Sequence, residues 1–303
     1  MQTTEPRGQR SVLVTGGSRG IGAATALLCA KQGWAVAVNY ARDAAAAESV
    51  VKAIQAGGGR AIAVQADVSD EAQVLAMFQR IDAELPRLGA LVNNAGVVDV
   101  VSRVDEMSVQ RLQRMFGINL IGSFVCAREA LKRLSTRHGG SGGAIVNLSS
   151  AAARLGSPGM YVDYAAAKGA IDTFTTGLAR EVAAEGVRVN AIRPGIIDTD
   201  IHASGGTPDR AHQSASLIPM QRPGTADEIA QAIVWLLSDA ASYTTGAIID
   251  VTGAGAEFPA VRPVEAQRAA RSELSKTPIC QHTHEHREAQ PVVEAEGSET
   301  PIA

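Results

Sequence analysis

The sequence predicts an α/β fold, in which one doubly wound parallel sheet of seven strands lies between two layers of helices. Short β-branched or apolar runs alternate with longer segments of helical periodicity between residues 10 and 255, and this alternation is typical of βαβ units. The chain has 303 residues, of which 46% are hydrophobic and 19% are charged, so it can bury a large core. One domain with right-handed crossovers is the simplest arrangement of these units.

The first three predicted strands cover residues 11–15, 35–39 and 61–66. Each is followed by a helix whose limits carry local signals. A glycine-rich segment opens the first helix at about residue 20. Asp43 is the predicted N-cap of the second helix and Ser69 or Asp70 that of the third, while the glycines at 57–59 end the second helix.

The remaining strands are predicted at 90–93, 144–148, 187–192 and 247–251, with helices at 109–135, 161–185 and 226–238. Two βαβαβ halves of this kind meet where the strand order reverses. A ligand crevice is therefore expected at the carboxyl ends of the central strands.

Charge and cysteine content exclude several classes of protein. The net charge of −3 argues against a nucleic-acid surface. The chain has three cysteines, an odd number, at the distant positions Cys29, Cys126 and Cys280. We therefore predict neither a disulfide framework nor a metal site, and we predict a cytoplasmic location. Residues 1–10 are polar and no apolar run approaches ~18 residues, so neither a signal peptide nor a membrane span is expected.

The predicted organisation is an N-terminal arm at 1–9, one domain at 10–255 and a disordered tail at 256–303. The tail is rich in Glu, Gln and Pro and has one aromatic residue, Phe258, so it buries too little apolar surface to offset its ordering entropy. Its alternating histidines, at 282, 284 and 286, are interpreted as part of a solvated tail rather than a metal site.

A phosphate cradle, defined as residues 15–22, follows the first predicted strand and runs Thr-Gly-Gly-Ser-Arg-Gly-Ile-Gly. Glycines allow the backbone to turn and to approach a pyrophosphate, and the helix N-terminus supplies free N–H groups. The spacing, Gly-x-x-x-Gly-x-Gly, differs from the general dinucleotide-binding motif. Its position between a strand and a helix predicts a ligand site.

Tyr164 and Lys168 lie four residues apart, and hence on one face of a predicted helix. A phenol with its ordinary pKa of about 10 exchanges protons poorly at neutral pH, and a nearby cation lowers that value. Because burial has the opposite effect, a catalytic tyrosine here requires charge to outweigh burial.

These motifs together resemble the short-chain dehydrogenase/reductase family. The cradle is followed in order by Asn93-Asn94-Ala95-Gly96, Asn119, Ser150, Tyr164 with Lys168, and Pro194-Gly195. The resemblance covers roughly residues 10–253, especially to 3-oxoacyl-(acyl-carrier-protein) reductase-like and glucose-dehydrogenase-like members. It implies a Rossmann-type three-layer fold and hydride transfer between a nicotinamide cofactor and a carbonyl or secondary alcohol.

The resemblance also implies which residues bind the cofactor. They are Gly16, Ser18, Arg19, Gly20, Ile21, Gly22, Tyr40, Arg42, Asp67, Val68, Asn94, Ala95, Gly96, Tyr164, Lys168, Pro194, Gly195, Ile197 and Thr199. Tyr40 occupies the strand end where an NAD site usually has an acid, and Arg19 and Arg42 are suited to a 2′-phosphate. NADP is therefore favoured over NAD, although Asp43 is nearby. Asp67 has an alternative role in starting the next helix.

The implied catalytic residues are Asn119, Ser150, Tyr164 and Lys168. Tyr164 is expected to be the general acid and base, Lys168 to lower its pKa, Ser150 to bind the substrate oxygen, and Asn119 to hold a water near Lys168. Ser149 is adjacent to Ser150, and the family pattern selects the second. Tyr161 has no cation four residues later and is expected to line the substrate cleft.

Residues 200–224 are predicted to form a substrate lid with Gly205-Gly206 as a hinge. Leu217, Ile218 and Met220 either line the substrate cleft or pack against the core. The family resemblance implies a homotetramer. The competing function is a dinucleotide sensor or scaffold without catalysis on the same fold.

Overall fold

The computed structural model of the chain describes residues 10–201, 205–206 and 209–255. The predicted N-terminal arm, the predicted tail with its histidines, and part of the predicted lid, including His202, lie outside the described residues.

Seven short strands form a single sheet. They are β1 (Ser11–Val14), β2 (Ala35–Tyr40), β3 (Ala61–Gln65), β4 (Leu88–Asn93), β5 (Gly143–Leu148), β6 (Val187–Pro194) and β7 (Ile248–Val251). Their order is β3-β2-β1-β4-β5-β6-β7, and all neighbouring strands are parallel. The chain winds in opposite directions on the two sides of the β1–β4 pair, which confirms the predicted doubly wound sheet.

Helices cover both faces of this sheet. They are α1 (Gly20–Lys31), α2 (Ala44–Ala56), α3 (Glu71–Glu84), α4 (Val109–Phe116), α5 (Gly122–Leu134), α6 (Ala152–Leu155), α7 (Val162–Val182), α8 (Arg210–Gln213) and α9 (Ala226–Leu237). Asp43 caps α2 by accepting from the Ala46 N–H, and Asp70 caps α3 by accepting from the Gln73 N–H. Both caps were predicted, with Asp70 rather than Ser69 at the start of α3.

The sheet separates two hydrophobic cores. Side chains alternate along each strand, so Val12 and Val14 face the core beneath α1, α2 and α9, while Leu13 faces the core beneath α3, α5 and α7. Cys29 lies in the first core and Cys126 in the second, and burial raises the pKa of each thiol to about 12. Both thiols are therefore protonated and poorly reactive at neutral pH.

The predicted helix at 109–135 is interrupted by a π-helical turn at Gly117–Ile121 between α4 and α5. Local periodicity does not distinguish such a turn from an α-helix. The predicted sixth strand also ends too early, because pairing with β7 continues to Arg193 and Pro194. Helix α6 lies between the fifth strand and the helix predicted at 161–185, in a segment for which no helix was predicted.

Because the cores are closely packed, truncation of a buried leucine should lower the free energy of unfolding more than truncation of an exposed leucine. Leu134 on α5 is 0% exposed, while Leu75 on α3 is 36% exposed. Leu134→Ala should cost about 2–5 kcal/mol of unfolding free energy, because it removes transfer energy and leaves a cavity. Leu75→Ala, the same chemical change in another helix, should cost about 0.5 kcal/mol or less. Urea denaturation measures both, and equal losses would contradict this description of the core.

Candidate active site

A cleft opens at the carboxyl ends of β1, β4, β5 and β6. It brings together many of the predicted site residues: Ile21, Asn94, Gly96, Ser150, Tyr164, Lys168, Pro194, Gly195, Ile197 and Thr199. These residues come from segments that are far apart in the sequence. The topology therefore places them at the predicted crevice, where the strand order reverses.

The phosphate cradle leaves the N-terminus of α1 open. Gly16 has a φ of 61°, which favours glycine. A Cβ on Gly22 would lie 2.6 Å from the Asn94 side-chain nitrogen, so the start of α1 approaches the neighbouring loop closely. The N-cap of α1, Arg19, makes no side-chain cap hydrogen bond. Free N–H groups and the positive end of the helix dipole are consequently available to an anion.

Hydrogen bonds join the cradle to the loop after β4. The Thr15 hydroxyl accepts from the Asn94 and Ala95 N–H groups, at 3.0 Å each. The Asn94 side-chain amide donates to the carbonyls of Thr15 at 2.9 Å and Gly16 at 3.0 Å. Asn94 thus holds the cradle in place, in addition to lining the cleft.

Asn39 is a residue of this region that the sequence analysis missed. It is buried at the end of β2, and its side-chain oxygen accepts from the Gly16 N–H at 3.1 Å while its carbonyl accepts from the Gly17 N–H at 2.8 Å. A lone polar side chain in an apolar strand was the available signal, because such a residue must find buried partners.

Arg19, at the start of α1, and Arg42, two residues after β2, are exposed, and neither has an ion-pair partner among the described residues. Asp43, the acid near this strand end, accepts a hydrogen bond from the Ala46 N–H of α2 at 2.9 Å. Its carboxylate is thus used in part as a helix cap. Tyr40 is half-buried at the strand end itself.

Asp67 and Val68 follow β3. The Asp67 carboxylate accepts from the Ser69 N–H at 2.9 Å and the Ser69 hydroxyl at 2.6 Å. It therefore closes a local turn, whereas the cap of α3 is Asp70. Val68 is buried, and its side chain would be 2.8 Å from a Cβ at Gly122, so α5 packs closely here.

Tyr164 and Lys168 lie one turn apart on α7, and the Lys168 ammonium nitrogen is 5.6 Å from the centre of the Tyr164 ring. The buried ammonium group donates to the Leu148 carbonyl at 2.7 Å. Ser150 hydrogen-bonds the Tyr164 phenol. The Ser149 hydroxyl instead donates to the Lys168 carbonyl at 3.1 Å, so it is Ser150 that the structure pairs with the tyrosine.

Burial dominates the proton affinities of this pair. It raises the pKa of Tyr164, and the hydrogen bond from Ser150 opposes that effect. Burial also lowers the pKa of Lys168 to about 8, opposed by the attraction of Asp172. In the chain by itself, desolvation of the phenolate is thus the larger effect on the pKa of Tyr164. The expectation that Lys168 and a cationic cofactor together outweigh burial stays a prediction.

Asn119 lies in the π-helical turn, and its side chain is fully engaged with main-chain groups. Its amide nitrogen donates to the carbonyls of Val97 at 3.0 Å and Met115 at 3.1 Å, and its oxygen accepts from the Val97 N–H at 3.1 Å. A Cβ on Gly96 would be 2.9 Å from this oxygen and 3.6 Å from the Lys168 nitrogen. Asn119 therefore shapes the loop that passes directly over Lys168.

The segment after β6 forms another wall of the cleft. A Cβ on Gly195 would lie 2.8 Å from Thr252, and Ile197 pairs with Gly224 in an isolated parallel bridge. Thr199 approaches Gly20 of the cradle, with 3.3 Å between its methyl group and the position of a glycine Cβ. These contacts bring the segment beside the N-terminus of α1.

The described part of the predicted lid divides into two roles. Ile218 is 1% exposed and belongs to the interior, whereas Leu217 and Met220 are 42% and 58% exposed. None of the three is among the described residues that line the cleft, and Leu217 and Met220 are not part of the core. The cleft instead receives Arg210 from α8 and the buried Tyr161, which was predicted to line it.

In the described ranges, no group of three or more His, Cys, Asp and Glu side chains is arranged to hold a metal ion. No helix within those ranges is long and apolar enough to cross a membrane.

Comparison with known proteins gives consistent matches across the domain. The family model described as enoyl-(acyl carrier protein) reductase matches residues 16–254. The uncharacterized oxidoreductase YgfF of Escherichia coli is 59% identical over 241 residues, covering 80% of this chain and 98% of that protein. The 3-oxoacyl-[acyl-carrier-protein] reductase FabG of Staphylococcus aureus is 38% identical, covering 80% of this chain and 97% of that protein.

Solved structures agree with these sequence matches. A short-chain dehydrogenase from Burkholderia cenocepacia, in complex with NADP, superposes with a TM-score of 0.75 at 33% identity. The superposition covers 83% of this chain and 99% of that one. The chain therefore belongs to the short-chain dehydrogenase/reductase family of oxidoreductases.

Proposed function

We propose that this protein interconverts a carbonyl compound and a secondary alcohol with NADP(H) as the hydride carrier. The observation that carries the proposal is the convergence of Ser150, Tyr164 and Lys168 in one cleft, beside the uncapped N-terminus of α1. A proton donor, a donor to the substrate oxygen and a site for a phosphate are thereby adjacent. Hydride transfer to a carbonyl requires this combination.

The cradle fits a dinucleotide cofactor. A Cβ on Gly22 would fill the space in which the helix start and the cradle approach each other, and the free N–H groups suit a pyrophosphate. Gly16, Ser18, Gly20 and Ile21 would hold this group. The loop after β4, with Ala95 and Gly96, would border the ribose, and the segment from Pro194 to Thr199 would border the nicotinamide. When bound, the nicotinamide supplies or accepts the hydride.

Tyr164 would deliver a proton to the carbonyl oxygen during reduction. Burial raises its pKa, which keeps the phenol protonated at neutral pH and available as an acid. Ser150 would donate a hydrogen bond to the same oxygen as negative charge develops. The Lys168 ammonium would favour the phenolate that remains, and Asn119 would hold the loop at Gly96 in position over it.

The preference for NADP rests on charge near the end of β2. Arg19 and Arg42 are exposed and have no carboxylate partner among the described residues, and a guanidinium binds a phosphate through two parallel hydrogen bonds. Tyr40 replaces the acid that an NAD site uses for the ribose hydroxyl. Asp43 is engaged with α2, which weakens the argument for NAD.

We further propose a cytoplasmic homotetramer. Phe124 on α5 is 47% exposed and stacks on Phe174 of α7, with 3.8 Å between the ring centres. Ile121, 53% exposed, precedes α5. Apolar surface of this kind favours contact with another subunit, and the two buried free thiols are compatible with a reducing compartment.

Tyr164→Phe should lower kcat for NADPH-dependent carbonyl reduction by about 10²–10⁴-fold, because it removes the general acid. NADPH binding, measured by fluorescence titration, should change less than about threefold. Tyr243→Phe is the matched control, since Tyr243 is fully exposed and lies outside the cleft. Substantial residual turnover would refute the role of Tyr164.

Failure of the native protein on a broad panel of thioesters, diketones and sugars, despite tight NADPH binding, would favour the sensor function.

Arg42→Ala should raise KM for NADPH by about 10- to 100-fold, the usual effect of losing a hydrogen bond between charged groups. KM for NADH should change little, because NADH lacks the 2′-phosphate. Arg137→Ala, which removes another exposed arginine, controls for the change in net charge. An equal effect on both cofactors, or a native preference for NADH, would contradict the assignment.

The pH dependence of cofactor capture should follow Lys168. Its pKa of about 8 means that the ammonium form is present below that value and is lost as the pH rises through it. We therefore expect kcat/KM for NADPH to be constant from about pH 6 to 7 and to fall about tenfold per unit well above pH 8. Lys52→Gln, which removes an exposed lysine, should leave the profile unchanged. A flat profile up to about pH 10 would exclude this role.

A further inference from the structure

The cleft has an uneven distribution of charge. Among the described residues that line it, Lys168 and Arg210 are the charged ones, and no carboxylate lies in its wall. Lys168 is buried beside Tyr164 and donates to the Leu148 carbonyl. Arg210 enters from α8 on the lid side. The wall near Arg210 therefore carries a positive charge that the proton-transfer residues do not use.

Arg210 is positioned without an ion-pair partner. Its guanidinium carbon lies 5.4 Å from the centre of the Tyr161 ring, and Tyr161 is 5% exposed, so the stacking surface is held firmly. The next residue, Ala211, is 1% exposed and anchors α8. Within the part of the chain that the structure describes, no carboxylate forms a salt bridge with Arg210, and its guanidinium donates no hydrogen bond there.

Three other described arginines differ in this respect, because each forms a salt bridge. Arg111 binds Asp163 at 2.8 Å, Arg114 binds Asp99 at 2.9 Å, and Arg154 binds Asp250 at 3.0 Å. The carboxylates of Asp163, Asp99 and Asp250 are thus already neutralised. Arg210 is left as a planar, permanently charged group with free donors that faces a cavity.

The rest of the wall is mainly apolar. Aliphatic side chains are contributed to it by Val98, Leu155, Ile196 and Ile201. A hydrocarbon portion of a substrate would gain free energy by covering them. An uncharged polar chain would lose hydrogen bonds to water without replacement.

We infer that the physiological substrate is a keto acid or hydroxy acid whose carboxylate is bound by Arg210 and whose carbonyl lies at Ser150 and Tyr164. This inference rests on the proposed function. The carboxylate serves only for binding and is not transformed. The carbonyl carbon receives the hydride of NADPH, and the carbonyl oxygen receives the proton of Tyr164. One guanidinium matches the single charge of a carboxylate, whereas a dianionic phosphate would leave a charge uncompensated in an apolar cavity.

The test is a set of paired substrates. Aliphatic and aromatic keto acids, with one to four carbons between the carbonyl and the carboxylate, are each compared with the corresponding primary carboxamide. These pairs differ in charge and little in size. NADPH oxidation is followed with native enzyme and with R210Q, R210K and R137Q, the last as a control distant from the cleft.

The native enzyme should prefer at least one keto acid over its amide by about tenfold or more in kcat/KM. R210Q should lower kcat/KM for that acid by about 10- to 100-fold, mainly through KM, and change the amide less than about threefold. R210K should recover part of the loss, and R137Q should match the native enzyme.

Two outcomes would overturn the inference. One is a native enzyme that reduces amides as well as acids; this result needs no variant and leaves the proposed function intact. The other is an equal loss on acids and amides in R210Q, which would show that Arg210 supports Tyr161 structurally. If no acid, amide or other carbonyl is reduced, the proposed function itself fails.

Discussion

The site depends on the hydrogen bonds that join the loops after β1 and β4. The Thr15 hydroxyl accepts hydrogen bonds from the N–H groups of Asn94 and Ala95. The Asn94 side-chain amide donates two hydrogen bonds to carbonyls of the cradle. These strands are neighbours in the sheet, at the point where the winding reverses. With the loops joined, the cradle and the start of α1 are held beside the cleft. The absence of side chains at Gly16 and Gly22 makes this approach possible.

A second set of buried polar contacts sets the position of α7 on the sheet. The Asn93 amide donates to Asn147 at 2.9 Å, and the Asn147 amide donates to Thr175 on α7 at 2.9 Å. Ser149 adds its bond to the Lys168 carbonyl. Because buried donors and acceptors without partners are costly, these contacts fix how closely α7 packs on the sheet. This packing brings the Ser150 hydroxyl to the Tyr164 phenol.

The negative charge near Lys168 is offset by a salt bridge. Asp172 lies one turn beyond Lys168 on α7, and its carboxylate oxygen is bound by Arg193 at 2.8 Å. Arg193 also approaches Asp250, at 3.5 Å, which in turn binds Arg154. The negative charge of Asp172 is thereby shared with an arginine, so burial prevails over attraction in setting the pKa of Lys168.

Local sequence patterns determined the strand and helix order, the caps at Asp43 and Asp70, the cradle, and the placement of Tyr164 and Lys168 on one helical face. Such features depend on neighbours a few residues apart. The tertiary structure decided the π-helical turn at Asn119, the burial of Ile218 and the balance of burial and charge at Tyr164. It also decided that Arg210 lines the same cleft as Tyr164 and Lys168. These depend on which distant segments pack together, since burial depth and pairing are properties of the assembled core rather than of any single segment.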